Sequence, residues 1–294
     1  MNPQNHSGHK CLLGAHFSIA KGPHQALYNA KAYQCTALQM FTKNSQTWKE
    51  RSFSAMEVAS FDKAREETGI TEIASHTSYL INIATSDKKK YGISCQALKQ
   101  EIVRSSALRI PYIVLHPGSH MGKGEKEGIR RIAEAINGIF AETPEMYPRL
   151  LLESTAGQGT GIGHTFEQLA TIMDRIGNKD RIGICLDTCH IFAAGYDIRT
   201  EEAYLRTMDT FNSVIGIEHL CLIHLNDSKK GLGSRVDRHE HIGEGEIGVR
   251  AFECLMNDAR LHNIPKIIET PKGKDGKDWD SLNLGRLKGL RVKG

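Results

Sequence analysis

Eight short, almost continuously apolar segments recur at regular intervals along the chain. Unbroken apolar runs of this length are typical of parallel strands covered on both faces, whereas strands with one solvated face alternate. The sequence therefore predicts a buried parallel sheet. The segments are CLLGAH ending at His16, ALQMF at Phe41, TEIASH at His76, YIVLH at His116, LLLE at Glu153, IGICLD at Asp187, CLIH at His224 and KIIE at Glu269.

The segments between these strands have the pattern of amphipathic helices. Strand ends follow one another about every 36 residues, slightly more than the roughly 31 residues of a minimal β/α unit. With 294 residues and no linker, the pattern predicts an α/β fold, a single (β/α)8 TIM barrel at 11–294 after a polar tail at 1–10. A doubly wound open sheet is the alternative. The predicted helices are 23–33, 53–68, 95–108, 127–140, 166–176, 201–214, 249–261 and 281–290.

The composition excludes several classes of protein. Apolar residues make up 39% and charged residues 24%, as in globular proteins, and no apolar run reaches the 18 residues of a membrane span. Seven cysteines without a CxxC pair predict reduced thiols and a cytoplasmic location. The net charge of +4 permits a nucleic-acid partner without requiring one.

Most of the predicted strands end on a side chain that binds metals. In a parallel barrel the C-terminal strand ends open on one mouth. A single histidine at such an end is more often a satisfied loop residue, but six unpaired imidazoles and carboxylates in one cavity would cost on the order of several kcal/mol each. The set predicts a metal centre, and mixed nitrogen and oxygen ligands favour zinc, manganese or iron. Its members are His76, His116, Glu153, Asp187, His224 and Glu269.

Two further segments extend this set to nine ligands. In LDTCHIFAAGYD, His190 follows Asp187 by three residues, so the two can serve neighbouring ions. In SRVDRHEHIGEGEIG, an extended loop would direct Asp237 and His239 to one side and Arg238 to the other. His241 would point to the same side as Asp237 and His239, but it is interpreted as a decoy and not as a ligand. A solvated charged loop is the alternative. Five histidines and four carboxylates suit three ions with bridging carboxylates, whose excess positive charge fits a hydroxide and a phosphodiester.

The motifs that contain these residues occur together in one enzyme family. They are GAHFS, FTKN, HTSYLIN, LHPGSH, ESTAGQG, LDTCHIFAAGYD, HLNDSKKGLGSRVDRHEHIGEG and IIETP, in that order between about Leu13 and Leu290. In them the chain resembles the endonuclease IV family of zinc-dependent apurinic/apyrimidinic (AP) endonucleases. The resemblance implies a DNA-repair barrel with three Zn²⁺ per chain, Mn²⁺ being an alternative at one site. It implies cleavage 5′ to an abasic site, which leaves a 3′-hydroxyl and a 5′-deoxyribose phosphate, and trimming of blocked 3′ ends.

The resemblance also implies a role for each ligand. A hydroxide between the first two ions would attack the phosphorus, and the third ion would stabilise the leaving oxygen. Glu153 and Glu269 are the implied catalytic carboxylates, with Glu269 either orienting the hydroxide or ligating zinc. The first zinc would be bound by His76, His116 and Glu153, the second by the bridging Glu153 with Asp187, His224 and Glu269, and the third by His190, Asp237 and His239.

The chain departs from the family pattern at two positions. Ser154 follows the bridging glutamate where the family commonly has asparagine, so its shorter side chain must act through water or leave a bond unmade. Gln46 stands where the family often inserts an arginine into the DNA, and a neutral side chain can still wedge and hydrogen-bond. Ser154 and Asn226 would support the ligands if they bond to them.

The predicted DNA contacts lie in loops at the barrel mouth. Recognition of an abasic site relies on bending the duplex and flipping a nucleotide out. Tyr79 and Leu80 are an aromatic and an aliphatic wedge of the required kind, although apolar residues are more often core. Lysines and arginines in the same region would bind phosphates, against the alternative of a solvated charged surface. The predicted DNA-binding residues are Tyr79, Leu80, Gln46, Lys43, Lys229, Arg235 and Arg238.

Two other functions remain open at this stage. A barrel sugar isomerase or epimerase also gathers Glu, Asp and His around one or two ions, but it has no use for a third site or for an exposed Tyr79. A noncatalytic DNA-damage binding module would bind DNA without metal-dependent turnover. The leading hypothesis is a monomeric endonuclease that acts on damaged double-stranded DNA, with an abasic site or a blocked 3′ end, and associates with the nucleoid rather than with a membrane.

Overall fold

Parallel strands close into a ring in the computed structural model, which describes residues 11–273 and 275–292. Seven consecutive strands pair in chain order, and the last strand pairs with both the first and the seventh. This closure confirms the predicted TIM barrel over the open sheet. The strands are β1 (Leu13–Phe17), β2 (Ala37–Phe41), β3 (Glu72–His76), β4 (Tyr112–Leu115), β5 (Arg149–Glu153), β6 (Ile182–Asp187), β7 (Leu220–His224), a separate antiparallel ribbon of β8 (Asp227–Ser228) and β9 (His239–Glu240), and β10 (Lys266–Ile268).

Nine α-helices connect the strands within the described residues, and most of them cover the outside of the barrel. Each of the eight predicted helices has a counterpart, with ends that differ by a few residues except in one case. The helices are α1 (Pro23–Ala32), α2 (Ala55–Thr68), α3 (Lys88–Ala107), α4 (Glu125–Glu142), α5 (Phe166–Asp174), α6 (Thr188–Ala194), α7 (Glu201–Val214), α8 (Val249–Asn257) and α9 (Trp279–Gly289).

Helix α3 begins seven residues before the predicted start at Cys95. The carboxylate of Asp87 accepts hydrogen bonds from the backbone N–H groups of Lys89 and Lys90, at 3.0 Å each, and so caps the helix. A cap of this kind satisfies N–H groups that have no partner within the helix. The predicted start was wrong because the helix begins with three lysines, Lys88 to Lys90, which have no apolar periodicity.

The inside of the barrel is filled by a small apolar cluster. Most strands contribute one residue to this cluster, and β7 contributes two. In several of these strands, a predicted metal ligand stands two positions after the cluster residue. Successive side chains of a strand alternate between faces, so such a ligand shares the inward direction of the cluster. The cluster consists of Ala37, Ala74, Val114, Leu151, Cys185, Cys221, Leu222 and Ile267, with Tyr112 packed against it.

Two further predictions concern the ends of the chain and the membrane. The predicted polar tail at 1–10 lies outside the described residues. Across 11–273 and 275–292, no helix has both the length and the apolar character needed to cross a bilayer.

Candidate metal centre

Six ligands predicted from the strand ends lie together at the mouth of the barrel. Each follows an inward-facing apolar residue by two positions, for example His76 after Ala74 and Glu153 after Leu151. Neighbouring strands are in register there, since Asp187 on β6 pairs with His224 on β7. The C-terminal end of the barrel therefore brings these side chains into one cluster, as in other barrels of this type.

The first group of the cluster surrounds one oxygen of Glu153. Oε2 of this carboxylate lies 3.1 Å from Nε2 of His76 and 2.9 Å from Nε2 of His116. Glu153 is fully buried and His76 almost so, whereas the His116 side chain is 34% exposed. The group is therefore closed towards the barrel interior and open towards solvent on the side of His116.

The second group begins at the other oxygen of the same carboxylate. Oε1 of Glu153 lies 2.9 Å from Nδ1 of His224. The same nitrogen is 3.2 Å from Oε2 of Glu269 and 3.7 Å from Oδ2 of Asp187. Glu153 thus faces two groups at once, which is the position of a bridging ligand.

The third group combines a helix residue with the β9 ribbon. Nε2 of His190 lies 3.1 Å from Oδ2 of Asp237 and 3.4 Å from Nε2 of His239. His190 is held by the start of α6, where Oδ1 of Asp187 accepts its backbone N–H at 2.9 Å. His239 comes from β9, paired opposite Ser228. All nine predicted ligands therefore lie in three adjoining groups.

Hydrogen bonds on the far side of the rings fix which imidazole nitrogen faces the cluster. A carbonyl oxygen only accepts, so the ring nitrogen beside it must carry the proton. Nδ1 of His76 donates to the carbonyl of Thr77 at 2.8 Å, Nδ1 of His190 to that of Ser154 at 2.8 Å, and Nδ1 of His239 to that of Glu269 at 3.2 Å. Each of these rings therefore directs Nε2 towards its group, as histidine ligands of metals do.

The charges in the cluster call for cations. Burial alone would raise the pKa of Glu153, but the imidazoles of His116 and His224 outweigh it and hold this pKa well below its usual range. Burial alone would lower the pKa of His190, but Asp187 and Asp237 raise it well above 6.5. In the absence of metal, Glu153 thus favours its ionised form and His190 its protonated form, and divalent ions would take the place of such protons.

The spacing of the donor atoms fits zinc. Ions bound at about 2.0–2.2 Å in a tetrahedron have ligand atoms roughly 3.3–3.6 Å apart. The nearest donor pairs within the three groups are 2.9–3.7 Å apart. Imidazole and carboxylate donors are those of catalytic zinc sites. The residues present therefore fit an ion in each group.

Two outer residues named from the sequence contact the ligands directly. Nδ2 of Asn226 donates to Oδ2 of Asp187 at 2.7 Å, and its Oδ1 accepts the backbone N–H of Glu269 at 2.8 Å. Oγ of Ser154 accepts the backbone N–H of Asp187 at 2.9 Å. Ser154 thus contacts the backbone of a ligand rather than a ligand side chain, and its action through water stays a prediction.

Gln39 and His16 belong to the cluster and were missed from the sequence. Nε2 of Gln39 donates to Oε1 of Glu269 at 2.5 Å, and Nδ1 of His16 lies 3.4 Å from the same oxygen. A usable signal was present: Gln39 is a polar residue at an inward position of β2, two residues after Ala37. The prediction considered only polar residues at strand ends, and this segment ends on the apolar residue Phe41. His241, the predicted decoy, is instead stacked on Trp279 with ring centroids 3.6 Å apart.

The predicted DNA wedge residues are exposed at the mouth. Tyr79 is 68% exposed and Leu80 36%. The ring of Tyr79 packs edge-on against Phe41, with centroids 5.7 Å apart, and lies 5.8 Å from the ring of His76. Gln46 is exposed on the loop after β2, where its backbone N–H donates to Asn44 at 2.9 Å. Tyr79 therefore borders the first donor group, and Gln46 lines a cavity at the mouth beside His16.

The basic residues predicted to contact DNA differ in their surroundings. Arg235 and Arg238 are exposed, and Lys229 lies 3.6 Å from Glu240 with nearly half of its side chain exposed. Lys43 is only 5% exposed, and its ammonium group contacts the carbonyl of Thr47 and lies 3.6 Å from Glu50. Lys43 must leave these partners to reach a phosphate, so its predicted DNA contact stays a prediction.

Two cavities adjoin the cluster. One, of about 280 Å³, is bordered by Tyr79, His116, His190 and Asp237 and so touches both the first and the third group. The other, of about 660 Å³, is lined by His16, Phe41, Gln46 and three basic residues, Lys43, Arg51 and Lys272. Tyr79 borders the first cavity and Phe41 the second, and the two rings pack edge-on against each other.

Comparison with known sequences places the chain in a family. Residues 27–288 match the family model described as xylose isomerase-like TIM barrel. The chain is 46% identical over 281 residues to the probable endonuclease 4 of Geotalea daltonii, which covers 96% of this chain and 98% of that protein. It is 48% identical over 278 residues to the probable endonuclease 4 of Geobacter sulfurreducens, which covers 95% and 94% of the two chains.

Solved structures agree with this placement. The endonuclease IV of Thermus thermophilus superposes with a TM-score of 0.84 at 35% identity and covers 95% of this chain and 98% of that one. A D-tagatose 3-epimerase-like protein, at 17% identity and a TM-score of 0.70 over 94% and 96% of the chains, shares the fold alone. The resemblance seen in the sequence motifs is confirmed: the chain belongs to the endonuclease 4 family of xylose isomerase-like TIM barrels.

Proposed function

We propose that this protein is a zinc-dependent AP endonuclease that hydrolyses the phosphodiester bond 5′ to an abasic site in double-stranded DNA. The products are a 3′-hydroxyl and a 5′-deoxyribose phosphate, and blocked 3′ ends are a second substrate. The observation that carries the proposal is the joining of the first two donor groups through Glu153, whose two oxygens face one group each, with the third group of His190, Asp237 and His239 beside them. Its relatives named endonuclease 4 and endonuclease IV support the same activity.

The charge of the loaded centre suits a phosphodiester. Three divalent ions would carry six positive charges against the four carboxylates of the cluster, Glu153, Asp187, Asp237 and Glu269. A net charge of about +2 in a partly buried cavity attracts an anion. The cavity of about 280 Å³ between the first and third groups gives a phosphate access to both.

Side chains of the protein would hold the ions and orient the reacting groups. Bound divalent ions supply Lewis acidity and lower the pKa of water towards neutrality. Glu153 would hold one ion with each of its two oxygens, and Glu269 directs Oε2 into the second group while Gln39 and His16 contact its Oε1. The third group, beside the cavity, would receive the oxygen that leaves the phosphorus. Manganese is an alternative at one position, because it accepts the same nitrogen and oxygen donors.

The exposed residues of the mouth would recognise the damaged duplex. Tyr79 and Leu80 would enter the stack where a base is missing, and Gln46 would do so from the opposite loop. Lys229, Arg235 and Arg238 would bind phosphates, which makes binding weaken steeply as salt rises. We propose that the enzyme acts as a monomer in the cytoplasm, on the DNA of the nucleoid.

A sugar isomerase or epimerase is less well supported. Such an enzyme needs one or two ions, and the third group of His190, Asp237 and His239 would have no task in it. An exposed aromatic ring at the rim, Tyr79, would likewise be unused.

An incision assay tests the proposed function. The substrate is a labelled duplex with one tetrahydrofuran abasic analogue, and the same duplex without damage is the control. Zinc-loaded protein is expected to nick only the damaged strand, on the 5′ side, and to leave a 3′ end that a polymerase extends. Strong chelation is expected to stop the reaction, and zinc to restore it. Metal-loaded protein that leaves the damaged duplex intact would sink the proposal.

A further inference from the structure

Gln39 connects two ligands of the second group. It lies within β2, is fully buried, and faces the barrel interior. Its Nε2 is 2.5 Å from Oε1 of Glu269 and its Oε1 is 2.8 Å from Nε2 of His224. Each end of one side-chain amide thus contacts a different predicted ligand.

These contacts determine which end of the Gln39 amide is the NH₂ group and which ring nitrogen of His224 donates to Gln39. A carboxylate only accepts hydrogen bonds, so the amide end beside Glu269 must be the NH₂ group. The amide oxygen therefore faces His224, and Nε2 of His224 must carry the proton that it donates. Nδ1 is therefore the ring nitrogen that faces the second group, 2.9 Å from Glu153 and 3.2 Å from Glu269, where a bound ion would replace the proton that lies between them. Among the five predicted ligand histidines, all within the described residues, His224 alone is hydrogen-bonded to a side-chain amide, and the same amide also lies 3.2 Å from Nδ1 of His16.

The same amide distinguishes the two oxygens of Glu269. Oε1 is held by Gln39 and lies 3.4 Å from Nδ1 of His16, whereas Oε2 points to Nδ1 of His224. His16 and Gln39 are paired in register on the adjacent strands β1 and β2. The ring of His16 is supported by Phe41, with centroids 4.6 Å apart. Two strands that supply no ligand therefore position the ligands of their neighbours.

We propose that Gln39, supported by His16, is a positioning residue of the second metal site. It selects Nδ1 as the donor atom of His224 and Oε2 as the donor atom of Glu269. The inference rests on the proposed metal centre and names residues outside its nine ligands. Mutation of such a hydrogen-bond partner typically lowers metal affinity or activity by about 10- to 100-fold.

The substitution Gln39→Met tests this role, because it keeps the size of the side chain and removes both polar contacts. Zinc affinity is measured by chelator competition, and the visible spectrum of the Co²⁺-substituted protein reports the geometry of the sites. We expect one ion per chain to bind about 10- to 100-fold more weakly and part of the cobalt spectrum to change. Gln168→Met is the matched control, since Gln168 is also buried and accepts two backbone hydrogen bonds, from Gly163 and His164.

His16→Phe is the second variant, and it keeps the test usable if Gln39→Met does not fold. His16 is partly exposed at the mouth, so its replacement leaves the core intact, and a smaller loss of zinc affinity is expected. Wild-type affinity and an unchanged cobalt spectrum in the variants that fold would overturn the positioning role, even if they melt at lower temperature. A wild-type protein that binds no zinc would instead overturn the proposed metal centre, so the two failures are distinguishable.

Discussion

Glu153 is the residue on which the proposed centre depends most. Its carboxylate is fully buried and contacts rings from three different strand ends, those of His76, His116 and His224. A neutral amide of the same shape would present an N–H group to one of these rings and lose the negative charge between two ions.

We therefore expect Glu153→Gln to release zinc from the first two groups and to reduce incision by more than the roughly 100-fold that follows loss of an outer hydrogen-bond partner. Incision kinetics and zinc content are measured on the same sample. Glu145→Gln, in the exposed segment between α4 and β5 at the opposite end of the barrel, is the control for a glutamate far from the mouth. A rate like that of the wild type at saturating zinc would contradict the bridging role.

Tyr79 is expected to act on the DNA rather than on the metal. It is largely exposed, so Tyr79→Ala creates no buried cavity and the zinc content should remain unchanged. The ratio of incision at an abasic site to nicking of undamaged DNA should fall about tenfold, which corresponds to the roughly 1–3 kcal/mol of one aromatic stacking contact. Tyr147→Ala removes another exposed tyrosine before β5 and should have no effect. An unchanged ratio would refute the wedge.

The sequence indicated the ligands more readily than their supports. His76, Glu153 and Asp187 stand at strand ends, where an imidazole or a carboxylate by itself indicates metal binding. Gln39 lies inside an apolar segment, and its role depends on the distance to Glu269 on a strand 230 residues later. Such contacts arise from barrel closure, so local pattern alone does not reveal them.

At the scale of elements, the loop that carries Asp237 and His239 is anchored by one buried carboxylate. Oδ1 of Asp227 accepts the backbone N–H groups of Ser228 and Ile247, and Oδ2 those of Gly243 and Gly245. Gly245 allows this approach, because a Cβ there would lie 2.5 Å from Oδ1 of Asp227. The carboxylate thereby ties the first strand of the ribbon to the segment 243–247 that follows the second strand.

Asp227→Asn is expected to loosen the loop, because an amide NH₂ group cannot accept the two N–H groups that it would face. Each buried donor left unpaired costs about 1–3 kcal/mol. Zinc should be lost first from the third group, and hydrogen exchange should increase at 235–247. Asp258→Asn, which removes a carboxylate bonded to Arg260 away from the mouth, controls for general destabilisation. Full retention of the third ion would argue against the anchoring role.

Elements with strong apolar periodicity were predictable, and short ones were not. Helix α6 is absent from the predicted helices, because its seven residues span only two turns and are buried on nearly all sides, which leaves no amphipathic pattern. Yet this helix sets the position of His190 relative to Asp187, through a cap made by a predicted ligand. The two-residue strand β9 lies below the length at which alternation can be recognised.

At the scale of the whole molecule, closure of the barrel gathers ligands from distant parts of the chain. Alternating strands and helices are equally compatible with an open sheet, so the choice between them rested on spacing and on the polar strand ends. The pairing of β10 with both β1 and β7 decides it. Closure also places the carboxylates and imidazoles close enough to alter one another's pKa values.

This coupling makes the stability of the metal-free protein depend on pH. Burial lowers the pKa of His76 and His190, but neighbouring carboxylates outweigh it and raise both above 6.5. The stability that their protonated forms contribute is full below about pH 6.5 and is lost as the pH rises through the folded-state values. The melting temperature of chelated protein should therefore fall from about pH 6.5 to 8. Zinc binding needs unprotonated rings, so the stabilisation by zinc should grow over the same range. A melting temperature of the chelated protein that stays level or rises would contradict this coupling.

The number of ions per chain tests the central claim most directly. Native mass spectrometry of the zinc-reconstituted protein counts bound ions on the intact chain, and Glu153→Gln serves as the comparison. The three donor groups formed by the nine side chains predict three zinc ions per chain, and fewer in the variant. A wild-type chain that takes up only one ion, or none, at saturating zinc would contradict the account.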